Sequence, residues 1–496
     1  MAGWAGTLYL LLMTSFQPLF GSLAERLGRK IVIMVALTTF ILGGVCCSVS
    51  VNMWMFIVSR AWQAVGSGGI LSLTYVMVAD LVPPEKRGKY QFVLSISWGS
   101  AAILGPLMCG TLVDDGIWQY TFYINVILAM IALLLLAFFF PWPNRPCSVW
   151  IQMGRMDYTG MLLMLSSTIV LLLALQWGGY VYPWASPLIL TMIAIGIVLL
   201  VLFICHEVYR AAEPMISFRM FQQRTVRTMF LGHFLFGLAT YGMHFYMPTY
   251  FQVINGDSAA ISGLEMLPDQ LSGPICYGLV SVIIARTGTI RIFVWIGFGL
   301  LTIGAALITC FDIHTSLLQQ LATLLLTGIS TGLIVEPSVI ITQHFVMEEN
   351  VAVATSLCNF FRSLGGSFSI AIYSTVFLHT LNTGLMSSQL SSDEAERVKH
   401  DLLLIAGLTE PLKSDIQSIY ARSVRQACIL MIPFALVGLF SVLWAQPVNV
   451  RRPSSAASPT PESLDWESHS DRTLVPEKET NHDTNLSIIE SHLLHM

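Results

Sequence analysis

Thirteen runs of about 20 apolar residues, the length a helix needs to cross hydrocarbon, succeed one another along this chain. Their approximate limits are 4–23, 31–50, 53–80, 90–113, 119–141, 157–176, 186–206, 226–253, 262–285, 292–311, 316–343, 350–378 and 426–446. Few folds are open to such a chain. Runs of this length read as membrane-crossing helices. The expected class is therefore an all-α polytopic membrane protein. Composition agrees, with 55% hydrophobic and only 11% charged residues, far from a soluble globular chain.

The net charge of −4 sits in loops and the tail and forms no basic surface, so no nucleic-acid partner is expected; the partner implied is the lipid bilayer. Eight cysteines, Cys46, Cys47, Cys109, Cys205, Cys276, Cys310, Cys358 and Cys428, lie in apolar spans with no C-x-x-C. Neither a disulfide framework nor a zinc site is indicated. H-E-x-x-H, G-x-S-x-G and the phosphate loop are also missing from the sequence, so neither an enzyme nor a resident cofactor is expected.

Alternate loops carry Arg26, Arg29 and Lys30; Lys86, Arg87 and Lys89; Arg145 and Arg155; Arg210, Arg219, Arg224 and Arg227; and Arg286 and Arg291. The opposite set holds Arg397, Lys399, Lys413, Arg422 and Arg425, all in one long loop, 379–425. Positive charge stays on the cytoplasmic side, which places Met1 outside and the C-terminus in the cytoplasm. From about Arg451 the chain turns rich in Ser, Pro and acids, the composition of a disordered tail, so 447–496 reads as a cytoplasmic extension. The sequon at Asn485 falls within it.

Between the first two spans lies GSLAERLGRK, Gly21 to Lys30. Gly21 and Gly28 permit tight turns and close backbone approach, Arg26, Arg29 and Lys30 favour the anionic cytoplasmic face, and Glu25 can reach the positive end of a neighbouring helix. The segment resembles the loop after the second helix of major facilitator transporters, G-x-L-a-D-r-x-G-r-k, with Glu25 where that family usually has Asp. A fainter copy, SVIIARTGTI at 281–290, keeps Arg286 and Gly288. The copy follows the second helix of a six-helix group, whereas the first loop follows only one helix. The resemblance therefore implies that a first helix is missing at the front of a fourteen-helix drug:proton antiporter layout. Its parts would be an N-terminal bundle at 1–141, two linking helices at 142–225, a six-helix C-terminal bundle at 226–446 containing the external loop 379–425, and the tail.

The third span, FIVSRAWQAVGSGGILSL, looks like the family's fourth helix, with Arg60 at the position associated with proton coupling. Independently, an arginine inside a span costs about 2.5–3.5 kcal/mol on insertion scales, with nothing in the sequence to offset it. Gln63, Ser67 and Thr74 share its stripe. A purely structural pairing is the other reading. The fourth span carries Gly105, Pro106 and Gly110, resembling the antiporter G-P-x-x-G-G with Cys109 replacing one Gly; the proline breaks a backbone bond and kinks the helix. FYMPTYFQ at 245–252 and NFFRSLGG at 359–366 also look like fungal members of this branch.

Four ionisable residues inside later spans are costly unless paired, protonated or wet. Glu265 and Asp269 share one face of the ninth span at i,i+4; the former reads as a solvated rim residue, and the latter, about 10 Å in, as a proton acceptor. Glu336 and Arg362 read either as coupling residues or as a structural pair across neighbouring helices. His233 and His244 sit among Phe234, Phe236, Tyr241, Phe245, Tyr246 and Tyr250 in the eighth span, a possible wall for a flat substrate. Eleven residues apart with no acid between, the histidines do not suggest a metal site.

The resemblance implies a secondary active transporter whose two bundles rock about a midplane site. It would be a monomer in a fungal plasma membrane, exporting small amphipathic organic compounds such as drugs, toxins or secondary metabolites against protons, with the proton gradient in place of a cofactor. Siderophore or amino-acid transport uses the same scaffold. A reading of another class, a non-transporting sensor or truncated relic, draws on the missing helix.

Overall fold

The computed structural model describes residues 2–448 except 83, 115, 141–155, 180, 212–213 and 389–411. The tail, the expected basic residues Arg145, Arg155, Arg397 and Lys399, and the sequon lie outside the described residues. Five helices open the chain: α1 (Ala2–Leu27), α2 (Arg29–Ser48), α3 (Met53–Leu81), α4 (Pro84–Asp114) and α5 (Tyr120–Phe139). A hairpin follows, α6 (Tyr158–Trp177) and α7 (Pro187–Tyr209). The remaining helices are α8 (Arg224–Ile254), α9 (Ala259–Glu265), α10 (Leu267–Thr287), α11 (Arg291–Ile308), α12 (Leu317–Phe345), α13 (Val351–Met386), α14 (Leu412–Ile429) and α15 (Met431–Leu443).

Local chemistry sets several starts. Asn52 caps α3 by accepting from Met55 N at 2.8 Å, Asp157 caps α6 through Gly160 N at 2.9 Å, and Ser186 caps α7 with Pro187 at its first position, each satisfying an amide that the helix leaves unpaired. Ten helical stretches among the described residues are long and apolar enough to cross a membrane. The expected spans 4–23, 90–113 and 226–253 form helices of spanning length, α1, α4 and α8, but are less apolar. Buried Thr14, Gln17 and Ser22, Gln91 and Ser95, and His233 and Thr240 dilute them, because these helices face protein seams and a cavity.

Two expectations need correction. The ninth span is not one helix, because the chain breaks at Met266, which ends α9 and precedes Pro268 at the start of α10. Glu265 and Asp269 therefore sit on different helices, and their side chains reach different partners, Asn255 and His244. The external loop is also shorter than 379–425: α13 continues to Met386, and α14 begins at Leu412. Residues 412–429 escape an apolar-run criterion because α14 is amphipathic, burying Ile416, Tyr420 and Val424 while carrying Lys413, Asp415, Arg422 and Arg425.

The helix pairings repeat. In the front half α3 packs against α1 and α2, and α2 against α5; in the rear α12 packs against α10 and α11, and α11 against α15. The halves meet along two seams related by the same exchange, α1 with α13 and α4 with α10. In the rear half α8 fills the middle against α12, α13 and α15. Among the described residues no helix takes the equivalent place against α3, α4 and α5, and Val93, Trp98 and Leu104 of α4 are about half exposed.

Candidate functional site

The loop of the sequence motif becomes a knot of specific bonds. Gly28 turns the chain between α1 and α2 with φ 91°, a region that side-chain-bearing residues disfavour. Glu25 Oε1 accepts from Val353 N at 2.9 Å, in the first turn of α13, where free amides and the helix dipole favour a carboxylate. Arg29 Nε meets Asp80 Oδ2, at the end of α3, at 2.6 Å, and Arg26 Nη2 donates to Pro214 O at 3.2 Å. Lys30 Nζ donates to Ala137 O at 2.9 Å and Phe140 O at 2.6 Å, the unpaired carbonyls that end α5. Gly21 faces Ser356 of α13, and a Cβ there would strike the serine side chain.

Arg60 acquires partners that sequence spacing does not reveal. Its Nη1 donates to Gln63 Oε1 at 2.8 Å, and its Cζ lies 4.3 Å from the Tyr9 ring centre and 5.4 Å from that of Phe122. Cation–π contact and one charge-assisted bond offset the cost of the half-buried guanidinium. Gly105, Pro106 and Gly110 all lie within the unbroken helix α4. A Cβ at Gly105 would meet open space.

Between the halves lies a cavity of 320 Å³, bounded by α3, α4, α8, α10, α12 and α13. Its building begins with two glycines. A Cβ at Gly328 would strike Asp269 O, and one at Gly332 would strike Gly273 O, so their absence lets α12 lie backbone to backbone on α10. That approach sets Thr327 Oγ1 2.6 Å from Asp269 Oδ1. On the other side His244 Nε2, from α8, meets Asp269 Oδ2 at 2.6 Å. Asp269 is thus held through one oxygen by each of two helices, at the first turn of a third.

Glu336 and Arg362 line the same cavity but do not form the expected structural pair. Glu336 Oε1 accepts from Ser95 Oγ at 2.6 Å across the halves, while Arg362 Nη2 donates to Asn359 Oδ1 at 2.9 Å. Arg362 Nε has no acceptor among the described residues. The eighth-span aromatics divide. Phe236, Tyr241 and His244 face the cavity, Tyr246 is buried against Phe377, and Phe245 is 57% exposed. His233 is buried away from the cavity between Met229 O at 2.9 Å and Ser338 Oγ at 3.2 Å. Glu265 bonds Asn255 instead, and Arg60 and Gln63 lie outside the cavity lining.

Sequence reasoning missed Thr327, Tyr75 and Trp98 as members of the site; in a helix-rich chain such residues read as ordinary core. Among the described residues no group of three or more His, Cys, Asp or Glu could hold a metal.

Comparison with known proteins agrees with this geometry. The Major Facilitator Superfamily model matches residues 1–370. The chain is 30% identical to MFS transporter L2 of Phoma sp. over 415 residues, 83% of this chain and 68% of that one. It is 28% identical to the MFS-type efflux pump LUC4 of Fusarium sp., covering 90% of this chain and 81% of that one. An uncharacterized MFS-type transporter of Mycobacterium tuberculosis is 32% identical over 90% of this chain, which spans only 64% of that relative's length. Among solved structures, the human organic anion transporter MFSD10 superposes with a TM-score of 0.60 at 16% identity, over 89% of this chain and 83% of that one, a likeness of fold. With two exchange-related seams, a cavity between them and a family match over most of its length, this chain belongs to the Major Facilitator Superfamily.

Proposed function

We propose that this transporter exports small amphipathic organic compounds against protons, from a plasma membrane and with its C-terminus in the cytoplasm. The observation that carries the coupling is the His244 Nε2 to Asp269 Oδ2 contact at 2.6 Å. It joins α8 to the start of α10 beside the cavity, so a proton added to this pair changes the bond between two helices of the rear half that line the cavity. Direction rests on relatives named efflux pumps, LUC4 among them. Aromatic faces beside polar groups in the cavity suit a molecule with one flat apolar side and a polar edge.

Pump-deficient yeast expressing the full chain tests both halves of the reading. Cells should accumulate less of an amphipathic fluorescent compound than controls, and a protonophore should abolish the difference. Equal accumulation across a broad panel contradicts export, and export that survives the protonophore contradicts coupling.

A further inference from the structure

The cavity holds a buried carboxyl group and a buried guanidinium whose hydrogen bonds among the described residues are to neutral groups. Glu336 is 8% exposed and bonds Ser95; Arg362 is 9% exposed, bonds Asn359, and keeps a buried Nε without an acceptor among the described residues. Asp269, by contrast, is enclosed by His244 and Thr327. A cavity built to take a cation would not present an unneutralised guanidinium, and one built for an anion would not present Glu336 beside it. A carboxyl acceptor and a guanidinium donor that are not joined to each other favour a dipole laid between them. Around them stand Tyr75, Trp98, Phe236 and Tyr241, rings whose faces suit another flat ring.

We infer that the preferred ligand of this cavity is an uncharged planar aromatic bearing a hydroxyl donor next to a carbonyl acceptor, the hydroxyl directed to Glu336 and the carbonyl to Arg362. The inference deepens the exporter reading by naming the substrate class, and it rests on that reading for the fate of the bound molecule. Binding itself does not depend on it. The 320 Å³ volume lies at the small end of ligand pockets, which suits a compound of two or three fused or linked rings.

The full chain purified into lipid nanodiscs supplies the test, with quenching of tryptophan fluorescence as readout. The probes are 3-hydroxyflavone, flavone, which lacks the hydroxyl, and the permanent cation ethidium, at a pH where the hydroxyl is un-ionised. Expected is binding of 3-hydroxyflavone about tenfold tighter than flavone, the loss of one buried charge-assisted bond, with ethidium weakest. Glu336→Gln and Arg362→Lys should each erase most of the preference for the hydroxylated probe. Equal binding of the two flavones, or ethidium as the tightest ligand, overturns the inference. If a variant fails to fold, the comparison of probes on the unaltered protein decides alone. Selective binding without export in cells keeps the inference and refutes the exporter reading; export without selectivity does the reverse.

Discussion

Glu25 Oε1 accepts a hydrogen bond from Val353 N at 2.9 Å, although the two residues are 328 positions apart. The carboxylate lies near the end of α1 and the amide near the start of α13, so this bond closes one of the two seams at that end.

Removing the carboxylate in Glu25→Ala should cost the closed seam about 1 kcal/mol, a cap-sized loss, or roughly a fivefold rise in the seam-open population. A cysteine placed at buried Ser356 reports it. Labelling by a water-soluble maleimide at that cysteine should quicken about fivefold when Glu25→Ala is added. An unchanged rate would mean that the bond does not hold the seam.

Gly21→Val places a side chain against Ser356 and should reduce transport by roughly tenfold or more, since packed seams do not absorb extra volume. Gly6→Val, where nothing lies within 4 Å, is the control. Equal transport by both variants contradicts the packing argument.

Much of this organisation is legible in the sequence, for reasons that differ by level. Helix positions follow from apolar run length, and the knot at Gly21 to Lys30 follows from charges stranded between spans. Contacts between helices are another matter. His244 and Asp269 are 25 residues apart, Asp269 and Thr327 are 58, and Ser95 and Glu336 are 241. Periodicity within one helix says nothing about which faces meet. The same limit made Glu336 and Arg362 look like a pair, and left Arg60 without its two rings. The break at Met266 had a local sign, Pro268 two positions later, which cannot continue a preceding turn.

The rings over Arg60 give a third prediction. Tyr9→Leu should lower stability by about 1 kcal/mol, the scale of a partly desolvated cation–π contact, while Tyr9→Phe keeps the ring and loses only the bond to Ser67, 2.7 Å. Thermal unfolding in detergent separates them. The expected order is native, then Phe, then Leu; a Leu variant as stable as the native chain would leave the arginine's cost unexplained.

A fourth concerns the hairpin of α6 and α7. Asp157 both caps α6 and meets His206 Nε2 of α7 at 2.8 Å, and buried Glu207 accepts from Met215 N at 3.1 Å. Asp157→Ala removes a cap and the contact to His206 together and should destabilise the hairpin by about 1–2 kcal/mol. Faster limited proteolysis after residue 209 would register it, with Asp157→Asn, which retains the cap, close to native. Identical cleavage in both variants would contradict the assignment.

The central claim is that the His244 and Asp269 pair exchanges a proton when substrate binds. Purified transporter in weakly buffered detergent, mixed with an exported compound in the presence of a pH-sensitive dye, measures this directly. The account predicts proton release from the unaltered protein and none from Asp269→Asn, with compound binding retained in both. Equal release from the two proteins would place the coupling proton elsewhere and contradict the account.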